Sequence, residues 1–384
     1  MSFFCPQCSG DRAATRPRCR ECGTFLEYRT SRDSLCAALE NPWKALPAAA
    51  PRVRMGEGET PTAALNSVAP TAFGKLESLN PTASFKDRGS SVIASSVVDE
   101  STPYEGIVVA STGNTATSVA AYAARARIAC AVLVPQGTGT AKLSQVAAHG
   151  VSVFAVDGTF SDCFSLADTV AEDDGLVNAT AIYSANPYVA AANRSVAFEI
   201  VARLGEAPDW VTVPVGAGPL LGGTHRGFEE LAEAGLVKQV PKMVCVQAHG
   251  CHPIVRAFET GASVEPWDEP ITTEVGAIAD PLRGYSEDGD RTLASVRESG
   301  GVALALDDET VFEWQTRLAS VDGVYAEPAS AASVAAINAC ESIEPSDSVV
   351  ALVTGHGLKE PAETDVAPTP VAGADEVRDT LLGE

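Results

Sequence analysis

Lysine is scarce in this 384-residue chain. Only 7 of the 27 basic residues are lysine, against 50 Asp and Glu, for a formal net charge of −23. A surface of that sign repels phosphate backbones and anionic lipid, so nucleic acid and membranes are not expected partners. Acid-rich, lysine-poor faces suit a salt-rich cytosol, where screening suppresses self-repulsion; a halophilic acidic surface is therefore expected. Long apolar runs are also missing: none reaches the roughly 18–20 residues of a membrane helix. The start, MSFFCPQC, lacks a basic segment ahead of an apolar one, so no signal peptide is expected. On that reading the ten cysteines belong to a reducing, cytoplasmic setting and not to a disulfide scaffold. Hydrophobic residues make up 45% and charged residues 20%, a globular composition. At roughly 100–200 residues per domain, the length allows two or three domains.

Four cysteines crowd the first 28 residues. The string C-P-Q-C, ten residues, then C-R-E-C holds Cys5, Cys8, Cys19 and Cys22. Two such knuckles offer four thiolates to one tetrahedral ion, so a structural Zn²⁺ ribbon is expected over 1–28. A redox pair is the alternative, but no βαβ context surrounds either knuckle. The following 29–52, with NPWKALPAAAP at 41–51, reads as a linker or an extended arm.

From about residue 80, short β-branched runs (106–111, 130–135, 151–156, 210–215, 243–248, 348–354) alternate with Ala-rich helical stretches (114–127, 140–149, 160–173, 191–204, 223–234, 307–321, 329–342). That alternation predicts an α/β fold with parallel sheet covered on both faces. Ligands of such sheets sit at strand carboxyl ends, against helix N-termini. The tail 361–384 is acidic and reads as partly mobile.

Four strand-to-helix segments hold the candidate chemistry. In LNPTASFKDRGS (79–90), Ser84 is expected to cap a helix that carries Lys86 in its first turn. A helix N-terminus lowers a lysine's pKa, which prepares an amine for Schiff-base chemistry; a solvated helix lysine is the plainer alternative. STGNTA (111–116) opens a helix with small residues that can cradle an anion, or is simply a capped turn. PVGAGPLLGG (214–223) has four glycines that let backbone amides close on a phosphate. It has neither dinucleotide nor P-loop spacing, so a small phosphorylated cofactor fits better than a nucleotide. ALVTGHGLKE (351–360) offers the neutral hydroxyl of Thr354, and His356 in a loop of open role.

LNPTASFKDRG, ASTGNTATSVAAYAARA, GVYAEPASAAS (323–333) and VTGHGLK, in this order after a zinc-ribbon-like start, resemble the threonine synthases. These are pyridoxal 5'-phosphate (PLP) enzymes of fold type II, the tryptophan-synthase β-like group. The resemblance implies two α/β domains with parallel twisted sheets: a large cofactor-binding domain (53–88 and 190–360) and a small mobile one (89–189). It implies a homodimer acting on a small amino acid. Lys86 would carry the cofactor and serve as mobile acid and base, with Phe85 packed beside it. Asn114 would bond the cofactor's phenolic oxygen, and Thr354 would face its pyridine nitrogen. Gly216, Ala217, Gly218, Leu220 and Leu221 would hold its phosphate. Ser111, Thr112, Thr115 and Ser184 would bind substrate.

Three departures from the family pattern stand out. The phosphate loop, usually G-N-A-G-N, is GAGPLLGG. The substrate-phosphate segment N-S-x-N-P-x-R appears as Tyr183-Ser184-Ala185-Asn186-Pro187-Tyr188-Val189, with no Arg clamp. Arg194 is the nearest substitute, on a helix face expected to point elsewhere. Ala83 stands where Gly is usual. The implied reaction converts O-phospho-L-homoserine and water to L-threonine and phosphate. The alternatives are β-elimination or β-replacement on another amino acid, and a binding protein on a disused enzyme scaffold.

Overall fold

The computed structural model describes the chain except residues 1, 13–16, 48–52, 69–70, 100–103, 173–174, 361–367, 369 and 383–384. The side chains of 2, 12, 140–142, 379 and 382 are also outside the description. One sheet has six strands in the spatial order Val302–Leu306, Lys242–Ala248, Trp210–Pro214, Val349–Leu352, Ala72–Lys75, Thr62–Ala64. Its neighbours run parallel except the last pair. A second sheet has four parallel strands, ordered Ser152–Val156, Ala129–Pro135, Gly106–Ala110, Leu176–Asn178. Every residue of Gly106–Ala110 and of Trp210–Pro214 is buried, as two-sided helix cover requires. The one hydroxyl among them, Thr212, donates to Ser333 O at 2.6 Å.

Several boundaries differ from expectation. The helix expected from 223 begins at Pro219, because proline at the first helical position has no amide to lose there. The stretch 191–204 is two helices, Tyr188–Asn193 and Ser195–Leu204, parted at Arg194. Ser84 does not cap the helix Lys86–Val97. Its hydroxyl is buried without a partner, and Phe85 takes the flanking position with no side-chain cap. The turn is instead held by Asp87, which accepts from Thr82 N at 2.7 Å and from the Thr82 hydroxyl at 2.5 Å. Of the segment expected as a linker or extended arm, 48–52 lie outside the described residues and the part 29–47 is packed. It holds the helix Arg32–Ala38 and a 3-10 turn, Pro42–Ala45, whose Trp43 and Ala45 are buried. The tail is helical over Ala374–Leu382, and its stretch 361–367 lies outside the described residues.

The first residues form a three-stranded antiparallel sheet, Asp11–Arg12, Ser2–Phe4, Glu27–Arg29. The two cysteine knuckles repeat one geometry. Ser9 N donates to Cys5 O and Gly23 N to Cys19 O, each at 2.9 Å. Both donors sit at positive φ, 52° and 75°. This small sheet docks through Phe3, edge-on to Tyr188 at 5.4 Å, and through the buried Arg194. The Arg194 guanidinium donates to Tyr28 O at 3.2 Å and pairs with Glu230 at 2.6 Å.

Candidate active site

Three distant segments are knitted into one floor. Phe85 N donates to Thr354 O at 2.9 Å and His356 N to Ala83 O at 3.0 Å. Glu327 N donates to Gly355 O at 3.0 Å, and Gly355 N to the Ser330 hydroxyl at 2.8 Å. Lys359 Nζ closes the set on Thr82 O at 2.8 Å. Ala83 has φ 64°, a left-handed conformation that favours glycine, so alanine there carries strain.

Lys86 begins its helix on this floor, with Nζ 4.3 Å from the centre of the Phe85 ring. It lines a cleft with Gly89, Ser90, Thr115 and Val189. Burial pushes its amine down to about 8, and the carboxylates of Asp280 and Glu327 oppose that shift. Glu327 is itself pushed up to about 7 by burial, although Asn114 Nδ2 donates to both its oxygens at 3.0 Å. Asp280 is also raised by burial; it accepts from Leu282 N at 2.9 Å and from the Tyr285 hydroxyl at 2.7 Å. The buried Thr354 hydroxyl lies 3.0 Å from that of Ser330, a neutral pair. The three residues assigned from the resemblance, Lys86, Asn114 and Thr354, thus share this floor.

The glycine segment follows the strand Trp210–Pro214 and leads into the helix Pro219–Glu233. Gly218 has φ 98°, and a Cβ there would collide with Thr292. A Cβ on Gly216 would stand 3.3 Å from Asp280. Thr292 donates to Ala217 O at 2.8 Å and so fixes the turn. Leu220 and Leu221, expected in a loop, occupy the first helical turn, whose N–H groups have no intrahelical acceptor. A cradle this close, with free amides at a helix N-terminus and an amine nearby, fits the phosphate and aldehyde of PLP.

On the substrate side, Ser111, Thr112 and Thr115 are half-buried at the start of the helix Asn114–Ala126, and Ser111 Oγ accepts from Gly113 N at 3.2 Å. Ser184 is committed elsewhere, because its hydroxyl donates to Asp288. Tyr183 is buried and donates its hydroxyl to Gly218 O at 3.3 Å, behind the glycine turn. Val189 is buried against Gly89. Arg194, at the break between two helices, points away from the cleft and is spent on Glu230, Tyr28 and Thr30. None of these three offers a free cation to a substrate phosphate.

The four cysteine sulfurs lie within 4.8 Å of one another, with Cys5 and Cys22 Sγ 3.4 Å apart. Four sulfurs this close form a tetrahedral donor set, and as thiolates they would need a cation among them, so the set fits a Zn²⁺ ion. Sequence reasoning did not single out Glu327, Asp280, Ser330, Thr292 or Asp288. Glu327 and Ser330 were within reach, since both fall inside GVYAEPASAAS. The other three lie on a loop and a helix that match none of the motifs quoted above.

The residues 53–355 match the family model described as pyridoxal-phosphate dependent enzyme. Threonine synthase from Mycobacterium tuberculosis is 37% identical over 333 residues, covering 83% of this chain and 88% of that protein. Threonine synthase from Methanosarcina acetivorans is 33% identical over 365 residues, covering 91% and 88%. Among solved structures, maize serine racemase superposes with a TM-score of 0.69 at 20% identity, covering 86% of this chain and 94% of that one. Threonine deaminase isoform 2 from Solanum lycopersicum gives 0.67 at 21%, covering 86% and 91%. These last likenesses speak to the fold. On the family match and the coverage of its relatives, this chain belongs to the pyridoxal-phosphate-dependent enzymes, and within them to the threonine-synthase-like lyases.

Proposed function

We propose that this lyase converts O-phospho-L-homoserine and water to L-threonine and phosphate. The observation that carries this reading is the knitting of SFKDRG to VTGHGLK. The two strings that resemble threonine synthases are hydrogen-bonded face to face, with Lys86 and Thr354 on one floor. Bound PLP would supply an electron sink at the substrate's α-carbon. Lys86 would hold it, Asn114 would meet its phenolic oxygen, and Thr354 its ring nitrogen. A hydroxyl at that nitrogen would leave the ring largely unprotonated, which would favour elimination over transamination. The turn Gly216–Ala217–Gly218 and the amides of Leu220 and Leu221 would hold its phosphate.

The chain's own groups do the rest. Ser111, Thr112 and Thr115 orient the substrate carboxylate. The Lys86 amine, held near neutrality by burial, takes the α-proton. The same amine carries protons through loss of phosphate from the γ-carbon and addition of water at the β-carbon. Closure of the unit 89–189 over the rest excludes stray water. The working unit is proposed as a homodimer, with Zn²⁺ held by Cys5, Cys8, Cys19 and Cys22.

A second reading rests on a specific observation. Val189 and Tyr183 are buried and uncharged, and Arg194 is tied to Glu230. That arrangement favours a substrate without a phosphate, such as serine, threonine or diaminopropionate, undergoing β-elimination to ammonia and a keto acid. One experiment separates the two. PLP-loaded enzyme in molar KCl is given each substrate, and phosphate, threonine, ammonia and keto acid are assayed together. Equal phosphate and threonine from O-phosphohomoserine supports the first reading. No phosphate, with ammonia from another amino acid, replaces it with the second.

A further inference from the structure

The resemblance places Tyr183 where its relatives bind substrate, yet here Tyr183 faces away from the cleft and joins two other parts of the molecule. The helix Ser286–Glu298 lies between them. On one side it holds the cofactor-phosphate turn: Thr292 donates to Ala217 O at 2.8 Å, and Asp288 accepts from Tyr183 N. On the other side it holds the cysteine ribbon. Glu287 pairs with Arg18 at 2.7 Å, and Arg291 with Glu27 at 3.3 Å. The Arg291 guanidinium lies 5.3 Å from the Phe25 ring and 4.9 Å from the Tyr183 ring. The two rings stand 6.5 Å apart, tilted by 54°. Tyr183 then reaches Gly218 O with its hydroxyl, and a Cβ on Gly222 would collide with that hydroxyl. Aromatic and guanidinium groups at these separations attract one another.

Phe25 owes its place to the second knuckle. It pairs with Arg18 across Cys19 and Cys22, and the Arg18 guanidinium sits 3.8 Å over its ring. Among the described residues of the ribbon few large apolar side chains are buried, chiefly Phe3, Leu26 and Tyr28. So small a core relies on metal for its order.

We propose that the four-cysteine ribbon braces the cofactor-phosphate turn, with Tyr183 as the positioning residue that carries the coupling through Phe25 and Arg291. The proposal rests on the PLP and Zn²⁺ readings above. Metal in the ribbon keeps Phe25 against Tyr183, and Tyr183 keeps the Gly218 carbonyl turned back, so that the neighbouring amides face the phosphate. Linkage makes the effect reciprocal: a bound cofactor raises the ribbon's affinity for zinc by the same factor.

The test uses the zinc-loaded full chain and reads cofactor affinity, not turnover. PLP binding is titrated by absorbance and fluorescence, zinc content is measured alongside, and ³¹P NMR reports the bound phosphate. Removal of zinc by a chelator is expected to weaken PLP binding about tenfold, equivalent to a single lost contact of ordinary strength. Phe25→Ala, with zinc still bound, is expected to weaken it to a similar degree and shift the ³¹P signal. Chelation of that variant should then add little. Tyr183→Phe should weaken binding less, at unchanged zinc content and melting temperature. PLP should shift the zinc–chelator equilibrium toward the protein in the wild type and not in Phe25→Ala. Wild-type affinity and ³¹P shift in both folded variants would overturn the proposal. If chelation unfolds the chain, the Phe25→Ala arm decides alone. A wild-type chain that never attaches PLP at Lys86 defeats the cofactor reading and this inference with it. PLP attachment indifferent to Phe25 defeats this inference only.

Discussion

Lys86 is where elementary electrostatics bears most directly on the reaction. Its amine must be neutral to attack an aldehyde, and burial makes it so at a lower pH than usual, about 8. Loading of apo-enzyme with PLP should therefore accelerate as pH rises through about 8. Asp280 and Glu327 oppose the shift by favouring the protonated amine. Glu327→Gln removes one of these anions, so the loading midpoint should move to lower pH. Stopped-flow absorbance across a pH series measures both. A midpoint unmoved or raised in Glu327→Gln would show that the carboxylate does not act on this amine. Lys86 was legible from its segment and neighbours. Glu327 and Asp280 were not singled out, because a carboxylate in a string of letters carries no sign of which amine it will face.

Elements turn single residues into a site, and two of them are fixed by unusual packing. The helix Lys86–Val97 is pinned by Arg88, fully buried between Glu77 and Glu199 at 2.7 and 2.6 Å. Lys75 meets Glu199 from the neighbouring strand at 2.6 Å. Arg88→Met would leave a buried carboxylate uncompensated and should cost about 3–5 kcal/mol. Urea denaturation of the apo chain reads this loss, and a change below about 1 kcal/mol, the range of an exposed pair, would contradict it. The glycine turn is fixed differently. At φ 98° and pressed on Thr292, Gly218 has no room for a side chain. Gly218→Ala should weaken PLP binding at least about tenfold, since strain and displacement together exceed the 1.4 kcal/mol of one decade. Equilibrium dialysis measures it, and wild-type affinity would remove the turn from the cofactor's phosphate.

The same scale shows where sequence reading fails. Strands with continuous β-branched runs, such as Gly106–Ala110, stand out because both faces are buried. Ala72–Lys75 and Thr62–Ala64 do not, being short and, Phe73 apart, built of small or polar residues whose place is set by neighbouring strands. The helix Ser286–Glu298 is so polar that its buried stripe, Asp288, Thr292, Leu293 and Val296, is easily read as loop. Its importance lies in what it separates, which only three dimensions reveal. Tyr183 is the sharpest instance: the resemblance places it at the substrate, whereas its hydroxyl braces the glycine turn from behind.

At the scale of the whole molecule, the −23 net charge is a surface property. The buried cations Lys75, Arg88 and Arg194 are matched inside by Glu77, Glu199 and Glu230, and Glu57, Asp87, Asp288 and Glu327 are buried acids beyond that set. These few buried acids leave most of the −23 excess facing solvent, where like charges repel over a Debye length of about 10 Å at 0.1 M salt and about 3 Å at 1 M. Salt also weakens exposed pairs such as Arg226–Glu233, separated by 3.1 Å, but each of those contributes at most about 1 kcal/mol. Repulsion spread over the whole surface outweighs them, and its relief should raise stability. Thermal scans of the zinc- and PLP-loaded chain in increasing KCl should show a higher melting temperature. A gain of about 2 kcal/mol corresponds to roughly 4–8 °C on the scale of 150–250-residue domains. Screening has a signature that distinguishes it from general salting-out. The rise should be steep up to about 0.5 M, flatten toward 1 M as the Debye length falls below the charge spacing, and be matched by NaCl at equal ionic strength. A melting temperature flat across the series would mean that the acidic surface carries no stability cost at low salt. A linear climb without a plateau would assign the effect to ion hydration and not to charge repulsion.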